Sequence, residues 1–266
     1  MATRRLCLVT GASAGIGEAF ARLYARQNHD LVLTARRVDR LEKLAWELRE
    51  LHDVEVQVVA ADLAEPGGVD RIIAAIEARG RAVDVLINNA GYGLPRAYAE
   101  TTWSEQQAFL QVLLTSVCEM THKLLPGMLS RGYGRIVNVA SLAGLIPGMP
   151  GATLYGPTKA FLVRFSQALH LETRGTGVHV CALCPGFTYS EFHDVNGTRE
   201  EAGRIPKWMW LDADTVVELG WRAVEAGRPV QITGGPNKLV AAICKIVPDA
   251  WVLGYVGRKA RQFRRL

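Results

Sequence analysis

Long apolar runs are absent from this 266-residue sequence. The best candidate for a membrane span, residues 239–257, is interrupted by Lys245, Pro248 and Asp249. A spanning helix needs about 18 or more consecutive, largely uncharged apolar residues. The sequence therefore predicts no transmembrane helix.

Cysteines and secretory features are also scarce. The five cysteines are an odd number without the spacing of a disulfide framework, which favours reduced thiols in a reducing compartment. Only residues 6–10 separate Arg4 and Arg5 from a glycine-rich turn, and this is too short for the apolar core of a secretory signal. We therefore expect a cytoplasmic protein.

Charge of one sign is not in large excess. The chain has 31 Lys+Arg against 26 Asp+Glu, a net charge of +5, and five of the basic residues lie in the last nine positions. The rest of the chain is near neutral, which argues against nucleic acid as a partner. With 49% hydrophobic and 21% charged residues, the chain is not disordered.

Short apolar runs alternate with helical patterns along the chain. Several runs are apolar on both faces, which is typical of a parallel sheet covered by helices on both sides. We predict an α/β, doubly wound domain with a seven-stranded, mainly parallel sheet over residues 1–236, followed by a helical basic extension, 237–266. The predicted strands are 5–10, 30–35, 54–60, 83–88, 134–140, 178–184 and 229–233, and the predicted helices are 15–28, 38–52, 67–79, 102–130, 152–174 and 212–226.

A glycine-rich turn follows the first predicted strand, with the spacing Gly-x3-Gly-x-Gly. Glycines there let a pyrophosphate approach backbone N–H groups at a helix N-terminus, as in Rossmann-type dinucleotide sites. The spacing is one residue longer than the usual Gly-x-Gly-x-x-Gly, and a tight turn without a ligand is the alternative. The candidate cofactor contacts are Gly11, Ser13, Ala14, Gly15, Ile16 and Gly17.

Arginines, rather than an acidic residue, follow the second predicted strand. An acid at this position binds the ribose diol of NAD, whereas an arginine accommodates the 2′-phosphate of NADP. Arg36, with Arg37 beside it, therefore favours NADP(H) over NAD(H). The alternative is that both arginines are solvated charges ahead of a helix.

The third and fourth predicted strands also end in candidate cofactor contacts. Ligands of open α/β sheets bind outside the carboxyl ends of the strands, so polar groups there can contact adenine and ribose. Asp62 could instead cap a helix. The candidates are Asp62, Leu63, Asn89, Ala90 and Gly91.

Tyr155 and Lys159 lie four residues apart in a predicted helix and so share one face. A nearby ammonium lowers a tyrosine pKa from about 10, which makes the phenol a usable general acid or base. Ser141 follows the fifth strand and can bind a substrate oxygen beside Tyr155. Tyr255 and Lys259 have the same spacing but no preceding strand or serine, so we expect a surface or packing role for them.

Together these motifs resemble the short-chain dehydrogenase/reductase family over nearly the whole chain. The resemblance implies hydride transfer between a nicotinamide and a carbonyl or alcohol carbon, and assembly as a homodimer or homotetramer. It implies that Tyr155 transfers the proton, that Lys159 lowers its pKa and holds the nicotinamide ribose, and that Ser141 orients the substrate. It also implies cofactor contacts at Tyr155, Lys159, Pro185, Gly186, Thr188 and Ser190.

Three positions depart from the family pattern. Leu113 stands where the family usually has an asparagine that helps to hold a proton-relay water, and a leucine side chain cannot form that hydrogen bond. Ser190 replaces a threonine and keeps a hydroxyl. Ala14 replaces a basic residue often found in NADPH users, so the cofactor prediction depends mainly on Arg36.

The irregular segment 185–211 is rich in aromatic residues. Such a long loop is typical of a lid over an apolar ligand, although its tryptophans could instead pack against the body or another subunit. His193 in this segment is expected to be a solvated polar residue. The candidate substrate contacts are Ser141, Tyr155, Phe187, Phe192 and Trp208.

Two further features are weighed. Cys181 and Cys184 have thiol-redox spacing but fall in a strand and lack a second pair, so we expect buried structural cysteines and no metal site. Residues 239–266 are apolar first and cationic last, a pattern that suits either peripheral contact with an anionic membrane or a subunit interface.

The leading hypothesis is a cytoplasmic, NADPH-dependent oxidoreductase that interconverts a ketone and a secondary alcohol on a lipid-like, steroid-like or aromatic molecule. If the basic extension contacts a membrane, the protein would lie at the inner membrane surface. The alternative from another class is an NADP(H)-binding sensor or regulatory protein whose catalysis is weakened at Leu113.

Overall fold

The apolar runs form one parallel sheet, as predicted. The computed structural model describes residues 4–148, 150–151, 153–192, 196, 203 and 205–263. Its strands are β1 (Leu6–Thr10), β2 (Asp30–Ala35), β3 (Val56–Ala60), β4 (Val83–Asn88), β5 (Gly134–Val139), β6 (Val178–Cys184), β7 (Thr188–Tyr189), β8 (Leu211–Asp212) and β9 (Val230–Ile232). Seven of them pair in the order β3-β2-β1-β4-β5-β6-β9, and every pair is parallel. The short β7 and β8, which the sequence did not predict, pair separately.

Helices cover both faces of this sheet. They are α1 (Gly15–Arg26), α2 (Val38–His52), α3 (Gly68–Glu77), α4 (Trp103–Leu110), α5 (Ser116–Arg131), α6 (Tyr155–Glu172), α7 (Ala213–Glu225), α8 (Gly235–Ile246) and α9 (Asp249–Phe263). One core cluster packs α1, α2 and α7 on the sheet, and a second packs α3 to α6 on the opposite face. Strands between two helical layers are buried on both sides, and every residue of β1 and β5 is buried.

The single helix predicted over 102–130 contains a local expansion. A π turn at Gln111–Thr115 joins α4 to α5, and the Ser116 hydroxyl donates to the Val112 carbonyl oxygen at 2.7 Å within it. Leu113 is buried in this turn against Gly91. A π turn commonly marks a functional site, and this one faces the carboxyl end of β4.

The order of the strands creates the ligand crevice. The chain crosses from β1 to β2 and β3 on one side and to β4, β5 and β6 on the other, so a cleft opens beyond Thr10 and Asn88. Buried amides join the elements beneath it. The Asn88 side-chain amide donates to Asn138 at 2.8 Å, and the Asn138 amide donates to the Ser166 hydroxyl at 2.9 Å, which holds β4, β5 and α6 together.

The C-terminal extension is helical, and its first helix begins at Gly235, two residues before the predicted boundary. Within the described residues, no one helix has both the length and the apolar composition for a membrane span; α8 and the first part of α9 have them only jointly, across a bend of 117°. The division into 1–236 and 237–266 stays a prediction.

Candidate active site

The glycine turn has the shape that a dinucleotide requires. Gly11 and Gly15 have φ of +66° and +58°, in the left-handed region that favours glycine. A Cβ on Gly17 would lie 2.3 Å from the Gly11 carbonyl oxygen, so only glycine fits there. The N-cap of α1, Ala14, offers no side-chain cap, and the first N–H groups of the helix are left for an anion such as a pyrophosphate.

Thr10 and Asn89 hold this turn against the end of β4. The Asn89 side-chain amide donates to the carbonyl oxygens of Thr10 and Gly11 at 3.0 and 3.2 Å. The Thr10 hydroxyl accepts from the backbone N–H groups of Asn89 and Ala90 at 2.9 and 3.0 Å. Asn89 therefore shapes the cradle rather than reaching out of it, and the contribution of Thr10 was not predicted.

The cation next to the glycine turn is Arg37, not Arg36. The Nε and Nη2 groups of Arg37 donate to the Ser13 hydroxyl oxygen at 3.2 and 3.0 Å. Arg36 is largely exposed, and its guanidinium lies 3.9 Å from Asp62. The chain turns after β2 so that the second arginine faces Ser13, and the prediction that Arg36 contacts the cofactor stays a prediction.

Glu191 completes an ion cluster that the sequence did not reveal. Its carboxylate accepts from Arg37 at 3.0 Å and from Arg40 at 2.6 and 2.7 Å. These two arginines hold the pKa of the Glu191 carboxyl below its usual value. Arg40 lies on the first turn of α2, so helical spacing from Arg37 was the available signal.

The residues after β3 and β4 support the cleft mainly through the backbone. Asp62 accepts from the Ala64 N–H at 2.9 Å in a local turn; it does not cap α3, whose N-cap is Gly67 without a side-chain cap. Leu63 is buried in the core, so its side chain does not face the cleft. Gly91 lies against Leu113, where a Cβ would contact the leucine at 3.4 Å.

Ser141, Tyr155 and Lys159 meet at the carboxyl end of β5. Ser141 caps a short 3₁₀ turn by accepting from the Ala143 N–H at 3.1 Å, and its hydroxyl is hydrogen-bonded to Tyr155. The buried Lys159 ammonium donates to the Val139 carbonyl oxygen at 2.7 Å and lies 5.6 Å from the centre of the Tyr155 ring. The three predicted catalytic side chains are thus neighbours.

The pKa values of this group correct one expectation. Burial raises the Tyr155 pKa above 10, and the hydrogen bond with Ser141, not Lys159, is what opposes the rise. Burial also lowers the Lys159 pKa to about 8, because the charged form loses its hydration. The ammonium is directed at Val139 rather than at the phenol, so Tyr155 is held in its protonated form.

The turn after β6 brings the 185–190 residues to the same cleft. The Pro185 carbonyl oxygen accepts from the Leu142 N–H at 2.8 Å, next to Ser141. The Thr188 hydroxyl donates to the Gly186 carbonyl oxygen at 3.2 Å. Ser190 lies against the glycine turn, where a Cβ on Gly15 would be 2.9 Å from the serine Cβ.

The aromatic residues of the 185–211 segment divide into two groups. Phe192 packs on Tyr155, with ring centres 5.9 Å apart. Phe187 packs on Trp210 at 5.5 Å instead. Trp208 lies on a surface 3₁₀ turn and is 67% exposed, and its contact with a substrate stays a prediction. His193 lies outside the described residues.

A small cavity opens beside Tyr155. Its lining was not predicted, because α4 and the 94–98 loop carry no motif and reach Tyr155 only through folding. Apolar and polar groups share the lining. The residues are Leu94, Arg96, Tyr98, Gln106, Phe109, Thr153, Leu154 and Tyr155.

Cys184 lies beside Ser141 and Lys159, and its thiol, like that of Cys181, is buried. All five are free thiols, and burial raises the pKa values of Cys181 and Cys184 to about 12, which agrees with a structural role. Among the described residues there is no group of three or more His, Cys, Asp or Glu that could hold a metal ion.

Comparisons with known proteins assign the family. A family model described as short chain dehydrogenase matches residues 5–201. The chain belongs to the short-chain dehydrogenase family. The sulfoacetaldehyde reductase of Chromohalobacter salexigens is 40% identical over 213 residues, which are 79% of this chain and 83% of that protein. The very-long-chain 3-oxoacyl-CoA reductase of Anas platyrhynchos is 35% identical over 97% of this chain and 80% of its own length.

A solved structure agrees over the whole fold. A short-chain dehydrogenase from Sphingobium yanoikuyae in complex with NADPH matches with a TM-score of 0.78 and 29% identity over 98% of this chain and 96% of its own. The predicted α/β fold, family and oxidoreductase class, acting on CH–OH and C=O groups, are thereby confirmed. So is the NADP(H) prediction: other relatives are also named NADP-dependent, although one structural neighbour is an NAD complex.

Proposed function

We propose that this short-chain dehydrogenase reduces a ketone on a largely apolar molecule with NADPH. The single observation that carries the proposal is the meeting of a protonated Tyr155, Ser141 and Lys159 at the mouth of the glycine-lined cleft. When bound, NADP(H) supplies or accepts the hydride. The glycine turn and the Arg37 cluster fit its pyrophosphate and 2′-phosphate.

The chain's own residues perform the proton chemistry. The Tyr155 hydroxyl, kept protonated by burial, gives its proton to the carbonyl oxygen as that oxygen gains negative charge. Ser141 steadies the same oxygen by a hydrogen bond. Lys159 anchors α6 to β5 through Val139, which fixes the position of the tyrosine one helical turn away. A protonated phenol is the acid that reduction of a carbonyl requires.

Part of the surroundings of Tyr155 supports an apolar substrate. Phe192 packs on its ring, and Leu94, Phe109 and Leu154 line the adjoining cavity together with polar side chains such as Arg96 and Gln106. The named relatives act on molecules as different as sulfoacetaldehyde and very-long-chain 3-oxoacyl-CoA. The substrate class of this chain therefore has to be measured directly. The enzyme hypothesis is preferred to the sensor because these relatives are reductases.

A substrate series tests this proposal. We expect NADPH oxidation with 3-oxoacyl thioesters and alkyl ketones to rise in kcat/KM as the alkyl group lengthens, by up to roughly fourfold per buried methylene, or about 0.8 kcal/mol. Loss of NADPH absorbance follows the reaction, with sulfoacetaldehyde as the polar comparison. A preference for the small charged aldehyde would contradict the proposal that the substrate is apolar. Absence of turnover with every carbonyl compound would contradict the proposal that the protein is an enzyme.

Cofactor choice can be tested by comparing two neighbouring arginines. Arg37→Ala removes the charged donor beside Ser13, and we expect NADPH to bind about 10- to 100-fold more weakly, the value of one charge-assisted hydrogen bond. NADH binding should change little, because it has no 2′-phosphate. Arg36→Ala is the matched control and should have the smaller effect. Fluorescence titration of both nucleotides gives the dissociation constants, and a larger loss in Arg36→Ala would reverse the assignment.

A further inference from the structure

The helix α8 has a buried face and, on its opposite side, an exposed apolar face. One face packs on the body of the protein through the buried Asn237 and Ala241. The other face exposes Leu239, Ile243 and Ile246, the last of which is 84% accessible. These three follow the i, i+4, i+7 spacing of one helical stripe, so the apolar stripe faces outward.

The following helix carries a further exposed apolar residue and then becomes basic. Trp251 on α9 is 74% exposed, whereas the exposed Leu253 lies two residues further on and so on the other side of the helix. Arg258 lies seven residues after Trp251, which places both on the same side of the helix. We name four exposed apolar residues the outer apolar face: Leu239, Ile243, Ile246 and Trp251.

The positive charge of the chain is concentrated in the sequence segment that carries this face. Residues 237–266 contain seven of the 31 basic residues and one of the 26 acidic residues, so this segment carries +6 and the remainder of the chain −1. An apolar surface with adjoining cations is complementary to an anionic lipid layer, where acyl chains meet acidic headgroups.

The geometry favours lying on a bilayer over crossing it. The 12 residues of α8 extend about 18 Å at 1.5 Å per residue, well short of a hydrocarbon core of about 30 Å. The bend of 117° between α8 and α9 prevents the two helices from acting as one rod. A second copy of the chain is a poorer occupant, since a twofold interface would bring the two basic segments together.

We propose that α8 and α9 dock the protein on the surface of an anionic phospholipid bilayer. The outer apolar face enters the boundary between headgroups and acyl chains, with Trp251 at the interface, and the basic residues contact the acidic headgroups. This inference does not depend on the proposed function. It also has a consequence for it, because Asn237 packs against Gly186, where a Cβ would lie 2.2 Å from the amide nitrogen; docking therefore brings the substrate segment near the lipid.

Vesicle sedimentation of the full-length protein tests the proposal. We expect binding to phosphatidylcholine vesicles that contain phosphatidylserine, much weaker binding to phosphatidylcholine alone, and release by salt. Ile246→Ser with Trp251→Ser should weaken the binding at least about tenfold. The matched control is Trp46→Ser with Leu51→Ser, which removes two exposed apolar residues of α2 and should leave the binding unchanged.

Two further measurements decide between outcomes. NADPH titration checks that each variant is folded, since none of the four positions lies in the cleft. Sedimentation velocity reports the oligomeric state. Absence of binding to anionic vesicles, or equal loss in both double variants, overturns the proposal, as does a dimer that only Ile246→Ser with Trp251→Ser dissociates. Loss of vesicle binding with unchanged NADPH affinity and oligomeric state supports it.

Discussion

Tyr155→Phe is expected to lower turnover at least about 10²-fold, the smaller end of what a positioned proton donor contributes. The substitution removes only the hydroxyl that is hydrogen-bonded to Ser141. The ring that packs on Phe192 and lies beside Lys159 remains. NADPH affinity should therefore stay within about twofold of the original, because the glycine turn and Arg37 are untouched.

Tyr24→Phe is the matched control for this variant. Tyr24 is fully buried in α1, and its hydroxyl has no hydrogen-bond partner among the described residues. Removing that unsatisfied oxygen should leave turnover unchanged and keep or raise the free energy of unfolding, by up to about 1 kcal/mol. Steady-state kinetics and urea unfolding measure both. Retained turnover in Tyr155→Phe, or its loss in Tyr24→Phe, would contradict the assigned proton donor.

The second large effect is a dependence of stability on pH that originates at Lys159. Its pKa is about 8 in the folded protein and 10.5 in the unfolded chain. Between these values the unfolded chain binds the proton and the folded protein does not. The free energy of unfolding therefore rises with pH across this window, and the destabilisation is fully present below pH 8.

Comparison with Lys159→Met isolates this contribution. Methionine fills a similar volume without a charge, so the difference in unfolding free energy between original and variant contains the lysine titration. We expect the difference to shift in favour of the original by about 2 kcal/mol between pH 7 and pH 10. Titration of Cys181 and Cys184 occurs in both proteins and cancels to first order. The cancellation is not complete, because Cys184 interacts with Lys159 in the original protein only.

Urea unfolding of both proteins at several pH values gives the result. A difference that stays constant with pH would mean that the ammonium is not destabilised by burial. A difference that moves in the opposite direction would mean that the folded protein stabilises the charged form. Turnover of Lys159→Met, measured in parallel, should fall because Tyr155 loses the Lys159–Val139 anchor of its helix.

The architecture and the candidate residues Ser141, Tyr155 and Lys159 could be predicted from the sequence, because they depend on the order of residues over short stretches of the chain. Strands apolar on both faces require helical layers, and residues 155 and 159 share a helix face by spacing alone. The glycines at 11, 15 and 17 were recognised from their spacing, and the contact distances in the turn explain it. Each of these features involves neighbours along the chain or a repeating period.

The sequence did not reveal contacts between side chains that are distant along the chain. The partners of Arg37 are Ser13, 24 residues earlier, and Glu191, 154 residues later. The cavity lining from Leu94 and Phe109 had no signal, since an apolar residue in a helix predicts burial and not a ligand.

By itself, the sequence determined the alternation of strands and helices, the glycine turn and the candidates for the reacting side chains, since periodicity and spacing act over a few residues. Only the tertiary structure decided which arginine approaches that turn, which aromatic packs on Tyr155 and whether burial or a neighbouring charge dominates its pKa. These outcomes depend on dehydration and long-range packing, which exist only after the layers have closed on the sheet.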